Sequence, residues 1–73
     1  MNKDTFMTKI NTIANRLNHK LKVTYSDDGG ANVHHDEYGF IITLYPEDAG
    51  NEALYIREAL TLISEKHNNN NAV

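Results

Sequence analysis

Five carboxylates stand in two turn-rich stretches of this chain: Asp27 and Asp28 ahead of Gly29-Gly30, and Glu47, Asp48 and Glu52 around Pro46 and Gly50. Carboxylates grouped in space can move protons, hold a cation, or imitate a row of phosphates. The first use lacks a chemical partner. Ser26 and Ser64 are the only serines, cysteine is absent, and neither a nucleophile motif nor a glycine-rich phosphate loop occurs. The second use fails on spacing, because Asp27 to Asn32 does not place oxygen ligands as a calcium loop does. Histidine offers little more. His34 and His35 are adjacent, so on a strand they point to opposite faces, and His35 with Asp36 or Glu37 is the one metal arrangement left. His19 and His67 fit helix ends. The chain is therefore expected to be non-enzymatic, with no cofactor and no metal site. What remains for the carboxylates is electrostatic complementarity to a basic partner.

A second constellation is basic. At 100° per residue, Lys9, Arg16 and Lys20 fall within about 40° of one another beside the apolar stripe of the first helix. Such a ridge could contact phosphates. Residues 1–25 carry five basic and one acidic side chain, a net of +4, and residues 26–73 carry two basic and nine acidic, a net of −7, together the −3 of the whole chain. A nucleic-acid domain is normally basic, whereas the isoelectric point here is near 5.7. Nucleic-acid binding through Lys9, Arg16 and Lys20 therefore ranks behind protein binding, and long basic stems beside an apolar stripe also serve to cover it.

The elements that must position these groups follow from hydrophobic period. Phe6, Met7, Ile10, Ile13, Ala14 and Leu17 form one stripe of a 3.6-residue helix, predicted over about residues 3–18, with Asn2 or Asp4 as its cap. Leu21, Val23 and Tyr25 then alternate with Lys22, Thr24 and Ser26, a strand half-buried by period two. The glycines of Asp27-Asp28-Gly29-Gly30 accept the backbone a tight turn demands. A second strand is predicted over 31–35, a turn at Asp36 to Gly39, and a third strand from Phe40 to Tyr45, ended by Pro46. Asn51 caps a second helix through about His67, with Ala53, Ile56, Ala59, Leu60 and Ile63 inward.

The order predicts an α+β fold, α-β-β-β-α, with a three-stranded antiparallel meander covered on one face by both helices. Residues 1–67 would form a single domain, and 68–73 a disordered Asn-rich tail. Strict alternation puts Phe40, Ile42 and Leu44 against the helices with Leu21, Val23, Tyr25 and Val33. Ile41, Thr43, Tyr45, Thr24 and His34 then lie on the uncovered face, where Ile41, Thr43 and Tyr45 are candidates for partner binding. The first turn and the Pro46 loop fall at the same end of such a meander, which gathers Asp27, Asp28, Glu47, Asp48 and Glu52 into one acidic pole. Turn chemistry and helix-dipole complementarity account for these residue types as well. Tyr55 and Leu62 widen the apolar arc of the second helix, and Leu54 stands on its polar side.

With 73 residues, 40% hydrophobic and 23% charged, the chain fits one small globular unit. The longest strictly apolar run is Phe40-Ile41-Ile42, so no membrane association is expected, and the lack of cysteine points to a reducing, cytoplasmic setting. In format, a short acidic cysteine-free α+β chain without chemistry of its own, it resembles the accessory proteins that bacteriophages encode against host machinery, anti-CRISPR and anti-restriction inhibitors among them. That resemblance implies a stoichiometric inhibitor of a host nucleic-acid enzyme or defence complex, acting in the host cytoplasm by occupying a surface. A homodimer through the open sheet face is the other expectation.

Overall fold

The computed structural model describes residues 3–71, the last two by backbone alone. Helix α1 spans Lys3–Leu17 and buries Phe6, Ile10 and Ala14, the centre of the stripe read from the sequence. Asn18 then redirects the chain: its amide donates to the Ala14 carbonyl at 2.9 Å, and its own Oδ1 accepts the Lys20 N–H at 2.8 Å. Lys20 accordingly lies beyond the helix, not on its surface. Strands β1 (Leu21–Tyr25), β2 (Ala31–His35) and β3 (Gly39–Leu44) pair antiparallel in the order β1-β2-β3. A single 3-10 turn, Pro46–Asp48, leads to helix α2, Glu52–Asn71. The architecture is thus α+β in the expected order. Helix α2 continues through Asn71, so Asn68 to Asn71 extend it where the sequence pointed to an unfolded tail. Asn2, the alternative cap of α1, and the last two residues lie outside the described residues.

One core cluster holds the layers together. Ile10, Ala14, Leu21, Ala31, Val33 and Ile56 are completely buried, with Phe6, Ile41 and Leu44 nearly so. Each of the buried Ile, Leu, Val and Phe side chains contributes about 1.5–3 kcal/mol, and the two alanines less.

The sheet departs from strict alternation at one place, and the departure decides which residues face out. Val33 pairs with Ile42, but His34 pairs with Phe40, so Ile41 is the extra residue of a β-bulge. Parity flips across it. Ile41 and Ile42 both turn toward the helices, Ile41 being 5% exposed, while Phe40 swings to the outer face at 54% exposed, with its ring edge-on to His34 at 5.8 Å. The expectations for Phe40 inward and Ile41 outward are both corrected. Ile41 drops out of any partner-binding surface. Thr43, Thr24 and His34 do face outward, where Thr43 donates to Asn32 (2.6 Å) and Thr24 lies 3.3 Å from His34. Tyr25 keeps the helix-side parity of Val23 but sits at the sheet margin, 43% exposed, with Lys3 over its ring at 4.8 Å.

Candidate functional site

The end of the sheet where β1 leaves and β3 terminates carries the expected carboxylates. In the turn after β1, Gly29 takes φ +93° and donates to the Ser26 carbonyl at 3.0 Å. Asp28 ties the turn together. Its Oδ1 accepts the Ser26 hydroxyl (2.6 Å) and the Gly30 N–H (3.2 Å), while its Oδ2 accepts the Tyr45 hydroxyl at 2.6 Å. The Tyr45 bond spans the two loops. On the Tyr45 side, Asp48 Oδ2 accepts the Tyr45 N–H at 2.8 Å and fixes the 3-10 turn. Gly30 permits the approach: a Cβ there would fall 2.7 Å from Thr43 Cγ2 and 2.9 Å from the Tyr45 ring.

The electrostatics report the same convergence. Tyr45 is pushed above its usual 10.0, first by its bond to Asp28, then by burial, and then by the charges of Asp28, Glu47 and Asp48. Asp28 is held below the usual carboxylate value by the hydroxyls of Ser26 and Tyr45. Asp28 is bonded to the Tyr45 hydroxyl and Asp48 to the Tyr45 backbone, Glu47 lies beside Asp48 in the same 3-10 turn, and exposed Asp27 precedes Asp28 in the facing turn.

Glu52 does not belong to this pole. It is 4% exposed, its Oε1 accepts the Gly50 N–H at 2.8 Å, and its Oε2 sits 2.9 Å from Lys9 Nζ on α1. That carboxylate pins the start of α2 to the middle of α1, and the sequence expectation of a surface role is corrected. The same contact dismantles the basic ridge. Lys9 is neutralised by Glu52, and Lys20 pairs with Glu37 at 2.7 Å. Of the three cations, Arg16 alone lacks a carboxylate partner among the described residues.

The opposite end holds a feature the sequence reading missed. His35 is 6% exposed, and its Nδ1 accepts the N–H groups of Glu37 (3.0 Å) and Tyr38 (3.2 Å). A nitrogen accepting two donors carries no proton, so the neutral ring bears its hydrogen on Nε2. His35 organises the second turn, with its ring stacked on Tyr38 at 4.3 Å and Tyr38 in turn against His67 at 5.0 Å. A chelate with Asp36 or Glu37 through Nδ1 would have to break both backbone bonds. His67 lies inside α2, short of its last turn. A cleft of about 490 Å³ opens beside His35 between Leu17, Leu60, Ser64 and the Lys20–Glu37 pair. The signal for His35 was its shared parity with buried Val33 on β2. Among the described residues, no group of three or more His, Asp or Glu side chains is placed to hold a metal ion, and no helix is long and apolar enough to cross a membrane.

No protein-family model matches the chain, and neither a curated protein nor a solved structure matches it.

Proposed function

We propose that this chain is a non-enzymatic binding module whose acidic end, Asp27, Asp28, Glu47 and Asp48, docks on a basic surface of a partner protein. The observation that carries the proposal is the Tyr45–Asp28 bond, which holds the β1–β2 turn and the Pro46 loop side by side before any partner arrives. Carboxylates ordered in advance lose less entropy on binding than mobile ones. They also steer encounter with a cationic groove. The partner class that fits is a protein whose own ligand is a polyanion, and the concrete form is a stoichiometric inhibitor of a host nucleic-acid enzyme or defence complex, working in the cytoplasm. Thr43 and Tyr45 border the acidic end from the outer sheet face and complete the contact surface.

The test must separate charge from scaffold. Asp28 and Asp48 hold the loops, so their reversal would disturb the fold. Asp27 and Glu47 are exposed and make no such bond. Tagged protein is used to capture partners from nuclease-treated lysate of cells that naturally express it. A nucleic-acid-binding protein that is released as salt rises, and is no longer retained by the Asp27→Lys/Glu47→Lys variant, is the expected result. Retention unaffected by that double reversal overturns the proposal.

A further inference from the structure

The two edges of the sheet are guarded differently. An edge strand exposes a row of unpaired N–H and C=O groups, and charged side chains are the usual protection. On one edge, β1 carries Lys22 and follows Lys20. On the other, β3 (Gly39–Leu44) contains no charged residue, and the bulge at Ile41 bends it without bringing a charge to the edge.

Helix α2 packs on β3, the strand at that edge, and carries an apolar flank turned away from α1. Leu60 and Ser64 line the cleft beside Leu17 of α1, so they mark the side of α2 that faces α1. At 100° per residue, Tyr55 and Leu62 lie about 140–180° around the helix from them, on the side of the β3 edge. Leu62 is 67% exposed and Tyr55 36%. Glu58 and Lys66, both exposed, share that flank. Their spacing is self-complementary. If two copies of α2 run antiparallel about a two-fold axis at Leu62, the residue four before it meets the residue four after it on the other copy. Leu62 then meets Leu62, and Glu58 meets Lys66 twice over. Parallel packing would oppose Glu58 to Glu58.

The same axis serves the strands. Tyr38, just before β3, contacts His67 of α2. The middle of β3 lies about 12 Å further on at roughly 3.3 Å per residue, which corresponds to about eight helix residues, near position 59 and within one turn of Leu62. We propose that this chain forms a two-fold homodimer in which β3 pairs antiparallel with β3 of a second copy, while α2 packs on its counterpart through Leu62, Glu58 and Lys66. The sheet becomes six-stranded. The proposal is independent of the acidic end.

Its strength follows from its size. A strip about 20 Å long and two layers about 10 Å apart offers roughly 400–600 Å² per copy, below the ~800 Å² of a standard interface, so the dimer dissociates on dilution. Sedimentation equilibrium from about 1 μM to 1 mM reads this directly. The mass of the unaltered protein rises from 8.3 kDa toward twice that value. Glu58→Lys and Lys66→Glu each weaken association at least about tenfold by opposing like charges, and the double exchange restores it. Circular dichroism verifies that each variant is folded. Edge amides of β3 gain exchange protection with concentration in the unaltered protein and not in Glu58→Lys. A monomer throughout the range, or a dimer indifferent to the single exchanges, overturns the proposal.

Discussion

The Lys9–Glu52 contact predicts a coupling between helices that can be measured. Exposed ion pairs contribute about 0–1 kcal/mol, and breaking a fully buried one costs about 3–5 kcal/mol. This pair lies between those limits, because the Glu52 side chain is 5% exposed and that of Lys9 37%. A coupling of about 1–2 kcal/mol follows, and the Glu52 bond to the Gly50 N–H adds a charge-assisted contribution at the start of α2. Glu52→Gln keeps the shape and a neutral version of that bond, so its cost is about 2 kcal/mol. At about 0.05–0.15 kcal/mol per residue, a chain of 73 residues has only roughly 4–11 kcal/mol in hand. The midpoint of thermal unfolding should fall by about 8–16 °C.

A double-mutant cycle of Glu52→Gln with Lys9→Met, followed by urea denaturation, isolates the pair. The dependence on pH has a definite sign. Burial pushes the Glu52 carboxyl up, but Lys9, the Glu52 backbone N–H and the Gly50 N–H outweigh it and hold the group below its usual 4.5. The folded state therefore takes up this proton later than the unfolded chain does. The contribution is present above the unfolded value and is lost as pH falls through the folded one. Stability of the unaltered protein should fall more steeply below about pH 4.5 than that of Glu52→Gln. A coupling below about 0.3 kcal/mol would refute the reasoning, because Lys9 would then be an ordinary surface cation, available to a phosphate after all.

Three further outcomes follow. Ultraviolet titration should show Tyr45 ionising above 10.0, and Asp28→Asn should bring it down; the Tyr45–Asp28 link is present below the ordinary tyrosine value and is lost as pH rises through that of Tyr45. In urea, Ile41→Ala should cost about 2–4 kcal/mol and Phe40→Ala under about 1 kcal/mol, and the reverse order would mean that the bulge is misplaced. Nitrogen NMR of His35 should show a neutral ring protonated at Nε2, and His35→Phe, which keeps the stack on Tyr38 but removes the acceptor, should cost about 1–2 kcal/mol by urea melt.

The elements were legible because their signals are local. Phe6, Ile10 and Ala14 recur at helical spacing and are the residues α1 buries. Leu21 and Val23 alternate along β1, and Gly29 stands where the turn takes positive φ. The outward side of β3 was not legible, because Phe40-Ile41-Ile42 is apolar throughout and offers no alternation to pin its register. A bulge inserts one residue, and its effect on parity is visible only once the partner strand is in place. Pairing of charge is hidden for a similar reason. Glu52 looks like helix-dipole chemistry, and nothing local to it shows that Lys9, distant in sequence, will neutralise it. His35 was within reach of the sequence, since it shares parity with Val33 and precedes a turn that needs acceptors.

Folding also sorts the charge. Of the nine acidic residues after Tyr25, four are committed inside the molecule: Asp28 and Asp48 to loop geometry, Glu37 to Lys20, and Glu52 to Lys9. The remainder are Asp27 and Glu47 at the acidic end, Glu58 and Glu65 on α2, and Asp36 in the second turn. Glu37 and Glu52, each paired with a lysine, offer a partner little, because binding must first break the existing pair, whereas Asp28 and Asp48 accept only neutral donors and keep their charge. Uncommitted charge is therefore the better guide to an interface than net charge. Apart from Asp36, it separates into two places with different requirements. At the acidic end the carboxylates share one sign around a fixed phenol, which calls for a partner of opposite charge. On α2, Glu58 stands eight residues before Lys66 with exposed Leu62 midway, a pattern of both signs that a second copy of the same helix satisfies. The two surfaces have no charged residue in common, and Thr43 belongs to both through different groups, its side chain on the outer face and its backbone in β3. A dimer through β3 and α2 would therefore present two acidic ends, and a bivalent partner would bind it more tightly than the monomer without any new contact.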